Sequence, residues 1–386
     1  MASPWYCDFV NGDNTTGDGS SGNPWKTLYY ALDSAGGNVV GGETVYVADS
    51  GAEVLTTPIL IDNAPTAAAP IVIRGDWTQD AVITIPHPDG DLVAAKLDGN
   101  NAVASIFAGT KRSYVVYYRM IFANSTSFLI ESSTSNIFIQ CEFTDAGGSQ
   151  MVDTGAGCTY IDCWFHDPKV ATTEPMRMGS PGCRAIHCTF QDDGATSQAL
   201  LNHSGNYSSI IDCLFINPNQ TAIRLNAYGT LVMGNTMFAK TGTTGSGVEV
   251  QGNGDLAMFL NNILYDFDAS TKGGIDLGDL EYGQIYGWNH FFENAANYIN
   301  KAAARSALDL SANDQSTDPT FVDAANQDFA CGTNAKEKAW PKGFIGTSTG
   351  ANTGTLTYED TGCAQRQEPA GGGTTVNVIK KVKRVR

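Results

Sequence analysis

The chain has 386 residues, with 23 Lys and Arg against 40 Asp and Glu; its formal charge is −17 and only 16% of its residues are charged. Its 42% hydrophobic and 10% aromatic content excludes a disordered acidic chain, and its 42 glycines, with Ser, Thr and Asn scattered throughout, exclude a long charged helical bundle. No run of 18 apolar residues occurs, so no membrane span is expected.

The opening residues, Met1-Ala2-Ser3-Pro4-Trp5, show neither a basic n-region nor an apolar h-region, so no secretory signal is expected. Nine cysteines cannot all pair within one chain, which predicts mostly free thiols and folding in a reducing cytoplasm. Asp13-Asn-Thr-Thr-Gly-Asp18-Gly offers two carboxylates, Asp13 and Asp18, as the candidate calcium ligands. It lacks the Glu that completes an EF-hand loop, and no other cofactor or metal is expected. Lys26 to Ser34 spaces Leu28, Ala31 and Leu32 for one helical face, which predicts a short helix plugging the N-terminal end.

From residue 139 a pentapeptide recurs: Ile139-Gln-Cys141-Glu-Phe143, Ile161-Asp-Cys163-Trp-Phe165, Ile186-His-Cys188-Thr-Phe190 and Ile211-Asp-Cys213-Leu-Phe215. The Cys-to-Cys steps are 22, 25 and 25 residues. Relaxing residue type extends the register to Met120-Ile-Phe122, Thr236-Met-Phe238, Ile263-Leu-Tyr265 and His290-Phe-Phe292. Apolar residues at i, i+2 and i+4 read as strands, and each is followed by turn residues. A period this short, made only of strands and turns, predicts a solenoid with coils about 4.8 Å apart. Stacking then places the four cysteines in one interior column, flanked by an Ile column and a Phe column. Glu293 to Leu308 carries six Ala and Ile residues at helical spacing and is expected to form a helix near the far end.

The sequence resembles the right-handed parallel β-helix superfamily, the pectate-lyase-like fold. The resemblance is carried by Tyr6-Cys-Asp-Phe-Val-Asn-Gly-Asp13, Asn23-Pro-Trp-Lys-Thr-Leu28, Gly42-Glu-Thr-Val-Tyr-Val-Ala48, Pro70-Ile-Val-Ile-Arg-Gly75 and Asp318-Pro-Thr-Phe-Val-Asp-Ala-Ala-Asn-Gln-Asp-Phe329. It implies an all-β chain: a cap and first strands over 1–50, the β-helix over 51–330, a C-terminal cap over 331–370, and a hinge with an extended tail over 371–386. That superfamily includes lyases, hydrolases, epimerases, phage tailspikes and non-catalytic virion proteins, so the resemblance bears on fold and leaves activity open.

Two polar columns accompany the repeat. Arg119, Gln140, Asp162, His187, Asp212, Asn235, Asn262 and Asn289 each precede the repeat position. Within it, Asp162, His187 and Asp212 are the candidate catalytic residues, a His between two carboxylates on successive coils, suited to acid–base work on a glycan. The column reads more readily as a turn ladder, since it continues as Asn235, Asn262 and Asn289, and Asn tolerates left-handed turns and stacks its amides. A second column, Asp145, Asp167, Asp192 and Asn217, reads as turn caps. The supporting motifs of polygalacturonase-like hydrolases and of calcium-dependent pectate lyases are absent. Trp164 is expected to face outward or into a groove.

After Gly371-Gly372-Gly373 the chain ends in a basic, β-prone tail. Without its five cations, 18 basic against 40 acidic residues leave −22 on residues 1–379. Val376, Val378, Ile379, Lys380, Lys381, Val382, Lys383, Arg384 and Arg386 are the candidate anchoring residues, suited to adding a strand to a partner protein. Nucleic acid is not an expected partner, because the acidic body repels phosphate. The sequence therefore points to a structural virion protein of a phage-like virus, made in the host cytoplasm: a capsid decoration, fibre or spike subunit held by its tail, with a host glycan as a further partner. By analogy with tailspikes a homotrimer is expected. The alternatives are a polysaccharide lyase or glycoside hydrolase, and an extracellular bacterial adhesion protein.

Overall fold

A computed structural model of the chain describes residues 4–321 apart from 34–37, 62, 78–83, 86–91, 109–112, 132–133, 149, 170–173, 193–198, 240–242, 253, 269–272, 279–282 and 301–307. The segments 331–370 and 371–386, including every candidate anchoring residue of the tail, lie outside the described residues.

The chain winds as a parallel β-solenoid with three long sheets, of 12, 10 and 8 strands, in which each strand pairs in parallel with its counterpart one coil on. The first sheet holds strands such as Ile137–Ile139 and Thr159–Ile161, the second Glu142–Thr144 and Trp164–His166, the third Glu174–Met178 and Ala199–His203. Coils this short leave no room for helices between strands, so hydrogen bonding runs almost wholly from coil to coil.

Side chains stack into columns inside. Phe122, Phe143, Phe165, Phe190 and Phe215 form one, with successive ring centroids 4.6 to 5.1 Å apart. Tyr117, Phe138 and Tyr160 form another in the first sheet, at 4.8 and 4.7 Å. Cys141, Cys163, Cys188 and Cys213 are buried and form no disulfide, and the same holds for Cys7, Cys158 and Cys183. Burial pushes the Cys163 and Cys213 thiols up, so these are inert fillers.

Three expectations need correction. The Ile column is half-buried on the outer side of the first sheet; the buried positions are the preceding Phe138, Tyr160, Ala185 and Ile210. The reason is the single left-handed residue before each Cys, such as Gln140 (φ 53°), which interrupts the in–out alternation. Secondly, Leu214 pairs with Thr236, so Asn235 lies in register with Cys213, one residue away from the column assigned by sequence. Asn235, Asn262 and Asn289 are fully buried and continue the cysteine column as an amide ladder, while Gly234, Asn261 and Trp288 take the left-handed turn. Thirdly, the described part of 293–308 holds a further coil. Ile275 and Leu277 donate to Asn297 O and Ile299 O, and Tyr298–Ile299 pairs with Ile275–Asp276.

The N-terminal plug is a helix, α1 (Leu28–Leu32), whose Leu28, Ala31 and Leu32 are buried. Thr27 caps it through the Tyr30 N–H at 3.1 Å. Glu53, from the first coil, accepts the N–H groups of Leu28 (2.7 Å) and Tyr29 (3.1 Å). At the other end Phe321 packs on Ile263 and against the rings of Phe238 and Tyr265, covering part of the second sheet.

Candidate functional site

Asp162, His187 and Asp212 do come together. Each sits at the sharp corner between first and second sheets with φ between 52° and 54°. His187 Nδ1 lies 3.5 Å from Asp162 Oδ1 and its Nε2 3.4 Å from Asp212 Oδ2. Hydrogen bonds to Asp162 and then Asp212 push the half-exposed imidazole up to about 10. At neutral pH the ring is an imidazolium whose two N–H groups bridge three coils. In the same column Arg119 Nε donates to Gln140 Oε1 at 2.9 Å. Gly234 ends this stretch: it has φ 70°, and a Cβ there would lie 2.0 Å from Asp212 Oδ1.

Of the second turn column, Asp145, Asp167 and Asn217 adopt left-handed φ of 49° to 60°, whereas Asp192 is buried outside that conformation. Asp13 accepts from Thr15 N (2.6 Å) and Thr16 Oγ1 (2.9 Å), and Asp18 from Ser20 N (2.9 Å), so each carboxylate caps its own turn. Among the described residues no group of three or more His, Cys, Asp or Glu side chains is arranged to hold a metal ion. A cleft of about 460 Å³ beside α1 includes Lys26, Tyr29 and Glu53 in its wall, but Glu53 is engaged by the helix.

Two clusters escaped the sequence reading. On the outer side of the second sheet, His166 stands 3.0 Å from Glu142 Oε1 and 2.7 Å from Asp167 Oδ2, with the half-buried Trp164 ring stacked on it at 3.8 Å. Burial lowers the His166 pKa, but Glu142 and then Asp167 outweigh it and the net direction is up.

The larger cluster is on the third sheet. Register there aligns Asp153, Arg177, Asn202, Arg224, Glu249 and Asp276, one per coil, between inward residues such as Met176, Leu201, Ile223 and Val248. Asn202 Nδ2 donates to both oxygens of Glu174 at 3.0 Å. Arg224 Nε reaches Glu249 Oε2 at 3.4 Å and its Nη1 lies 3.9 Å from Glu174 Oε1. Thr221 also donates to Glu249, at 3.3 Å. Burial raises the Glu174 pKa, with Asn202 and Arg224 opposing, and the net direction is up. The outcome is a flat row of charged and amide groups, preorganised by one another and repeating every coil, about 4.8 Å. Its signal in the sequence is the spacing of Arg177, Asn202, Arg224 and Glu249, which follows the 22- and 25-residue steps of the cysteines.

No protein-family profile and no curated protein sequence matches the chain. Solved structures do. One titled "Glycoside hydrolase" shares 10% identity over 82% of this chain and 96% of its own, with a TM-score of 0.51. The pectate lyase Pel9A shares 13% identity over 95% and 97%, with a TM-score of 0.48. ORF18 of Geobacillus virus E2 shares 13% identity over 74% of this chain, with a TM-score of 0.45; the match spans 54% of that protein, about half its length. Among the described residues no helix is long and apolar enough to cross a membrane. The coil-by-coil pairing establishes the fold as a parallel β-helix, and the likeness to the glycoside hydrolase structure agrees with it.

Proposed function

We propose that this chain is a structural β-helix of a phage-like virion that binds a glycan along the outer side of its third sheet. One observation carries the reading: the row Asp153, Arg177, Asn202, Arg224, Glu249 and Asp276 presents one polar side chain per coil, at a repeat close to the length of one pyranose unit. Charged and amide groups held by their neighbours lose little entropy on meeting sugar hydroxyls. Binding is favoured over cleavage because Glu174, Arg224 and Glu249 are engaged with one another. The virion assignment rests on the buried cysteines, which among the described residues form no disulfide and suit assembly in a reducing cytoplasm. It also rests on the basic residues 380–386, proposed to dock on another virion protein.

A second reading, a polysaccharide lyase or glycoside hydrolase, is favoured by Glu174: a buried carboxyl of raised pKa beside Arg224 is suited to donating a proton. Acidic and neutral polysaccharides incubated with the full chain separate the two. Retention without product is the expected result. Product release that disappears in Glu174→Gln would establish the enzyme, and neither retention nor release would remove both readings.

A further inference from the structure

We propose that Tyr207 and Tyr228 form an aromatic platform on which one sugar ring of the bound glycan stacks; this rests on the glycan-binding reading above and deepens it. The platform stands at the corner between third and first sheets. One residue per coil there is left-handed: Tyr114, Ser135, Gly157, Gly182, Tyr207, Gly229, Leu256 and Gly283, with φ of 54° to 73°. The succession is fixed by coil-to-coil bonds, Gly182 N to Asn206 O, Tyr207 N to Tyr228 O and Gly229 N to Asp255 O.

Glycine adopts this conformation freely, whereas a bulky L-residue is strained in it. Tyr207 is nonetheless 65% exposed, so no burial offsets the strain. The next coil accommodates the ring: a Cβ on Gly229 would lie 2.7 Å from Tyr207 Cδ1. Tyr228, itself 36% exposed, meets Tyr207 edge to face at 5.0 Å, and its backbone N–H is held by Asn206 Oδ1 at 3.2 Å. Strain kept at an exposed aromatic pair, where glycine serves the neighbouring coils, is the mark of a functional position.

The position selects the ligand. Tyr207 and Tyr228 follow the strands Ala199–His203 and Thr221–Leu225, whose outward residues are Asn202 and Arg224 of the polar row. A ligand spanning both needs an apolar ring face next to many hydroxyls, which is the chemistry of a pyranose. Tyrosine supplies a rigid ring with a hydrogen-bonding tip.

The test uses the full chain on a glycan array, then affinity for a retained glycan and the thermal midpoint of wild type, Tyr207→Gly and Tyr207→Phe. Tyr207→Gly is expected to raise the midpoint while weakening binding about tenfold, a loss on the scale of one aromatic contact. Tyr207→Phe is expected to keep binding within about threefold, since the ring face remains. Unchanged affinity in Tyr207→Gly, with binding lost in Arg224→Met, overturns the platform and leaves the polar row as the site. A midpoint that fails to rise overturns it through the strain. An array with no retained glycan overturns both the platform and the reading beneath it.

Discussion

Asn262 Oδ1 accepts two hydrogen bonds from Asn235, one from its backbone N–H and one from its side-chain amide, each at 3.0 Å. Asn289 repeats the arrangement for Asn262, again at 3.0 Å, and Asp314 Oδ1 accepts the Asn289 N–H at 2.9 Å. The side-chain amides also donate across the core to Ile210 O, Val232 O and Phe259 O. Every buried polar atom named in this run therefore has a partner, as a dry interior requires.

Asn262→Leu is expected to destabilise the fold by about 3 kcal/mol, because it orphans the Asn235 backbone N–H and Val232 O in the interior. Urea denaturation followed by far-UV circular dichroism measures it. A loss below about 0.5 kcal/mol would mean the ladder contributes little net stability.

The His187 bridge gives a pH dependence of definite sign. Its folded pKa, about 10, lies above the ordinary 6.5, so its stabilisation is fully present below about pH 6.5 and is lost as pH rises through 10. Nuclear magnetic resonance titration of the ring should show it protonated at pH 8, with Asp212→Asn bringing the transition down. Because the ring is half exposed, solvent screening keeps the energy small. Gly234→Ala strikes the same bridge from the backbone. It forces a left-handed alanine against Asp212 and is expected to cost about 2 kcal/mol.

Glu53 carries a dependence of the same sign in a more acidic window. Burial pushes its carboxyl up to about 7 from 4.5, although Leu28 and Tyr29 oppose the shift. The folded chain then holds the proton more tightly than the unfolded one, so stability rises as pH falls from 7 towards 4.5, by up to about 3 kcal/mol. Chemical denaturation across that window should show the rise in wild type and a flat response in Glu53→Gln.

Thiol counting tests the packing of the cysteine columns. Seven of the nine cysteines are buried among described residues, so no more than two should react with a thiol reagent in the native chain, and all nine in denaturant. Three or more fast-reacting thiols would contradict the dry column.

The solenoid was legible in the sequence because period-two apolar strands recurred with cysteine at a fixed place, and register follows directly from such spacing. The same cue failed after Cys213. There the column changes from thiol to amide, and matching apolar residues to apolar residues moved the register by one, setting Asn235 in the turn. Residues 293–300 looked helical because alanine satisfies a 3.6 period by chance, whereas coil-to-coil bonding decides their conformation. His187 and its two carboxylates were visible as neighbours on successive coils. Their charge state was not, since it depends on distances that only the corner geometry sets. The row on the third sheet was hidden by chemical variety: Arg177, Asn202, Arg224 and Glu249 share a position without sharing a residue type.

The replacement of thiols by amides between Cys213 and Asn235 divides the rod into two lengths of unequal cohesion. In a solenoid each coil is joined only to its neighbours, so a pulling force along the axis is borne in series by every joint. Inside the core, joints filled by cysteine and phenylalanine add only weak thiol bonds, as from Cys163 to Phe138 O, whereas those at Asn235, Asn262 and Asn289 add amide bonds across each gap. Under tension the coils before Cys213 should part first, and the amide-filled coils should come away together as one block.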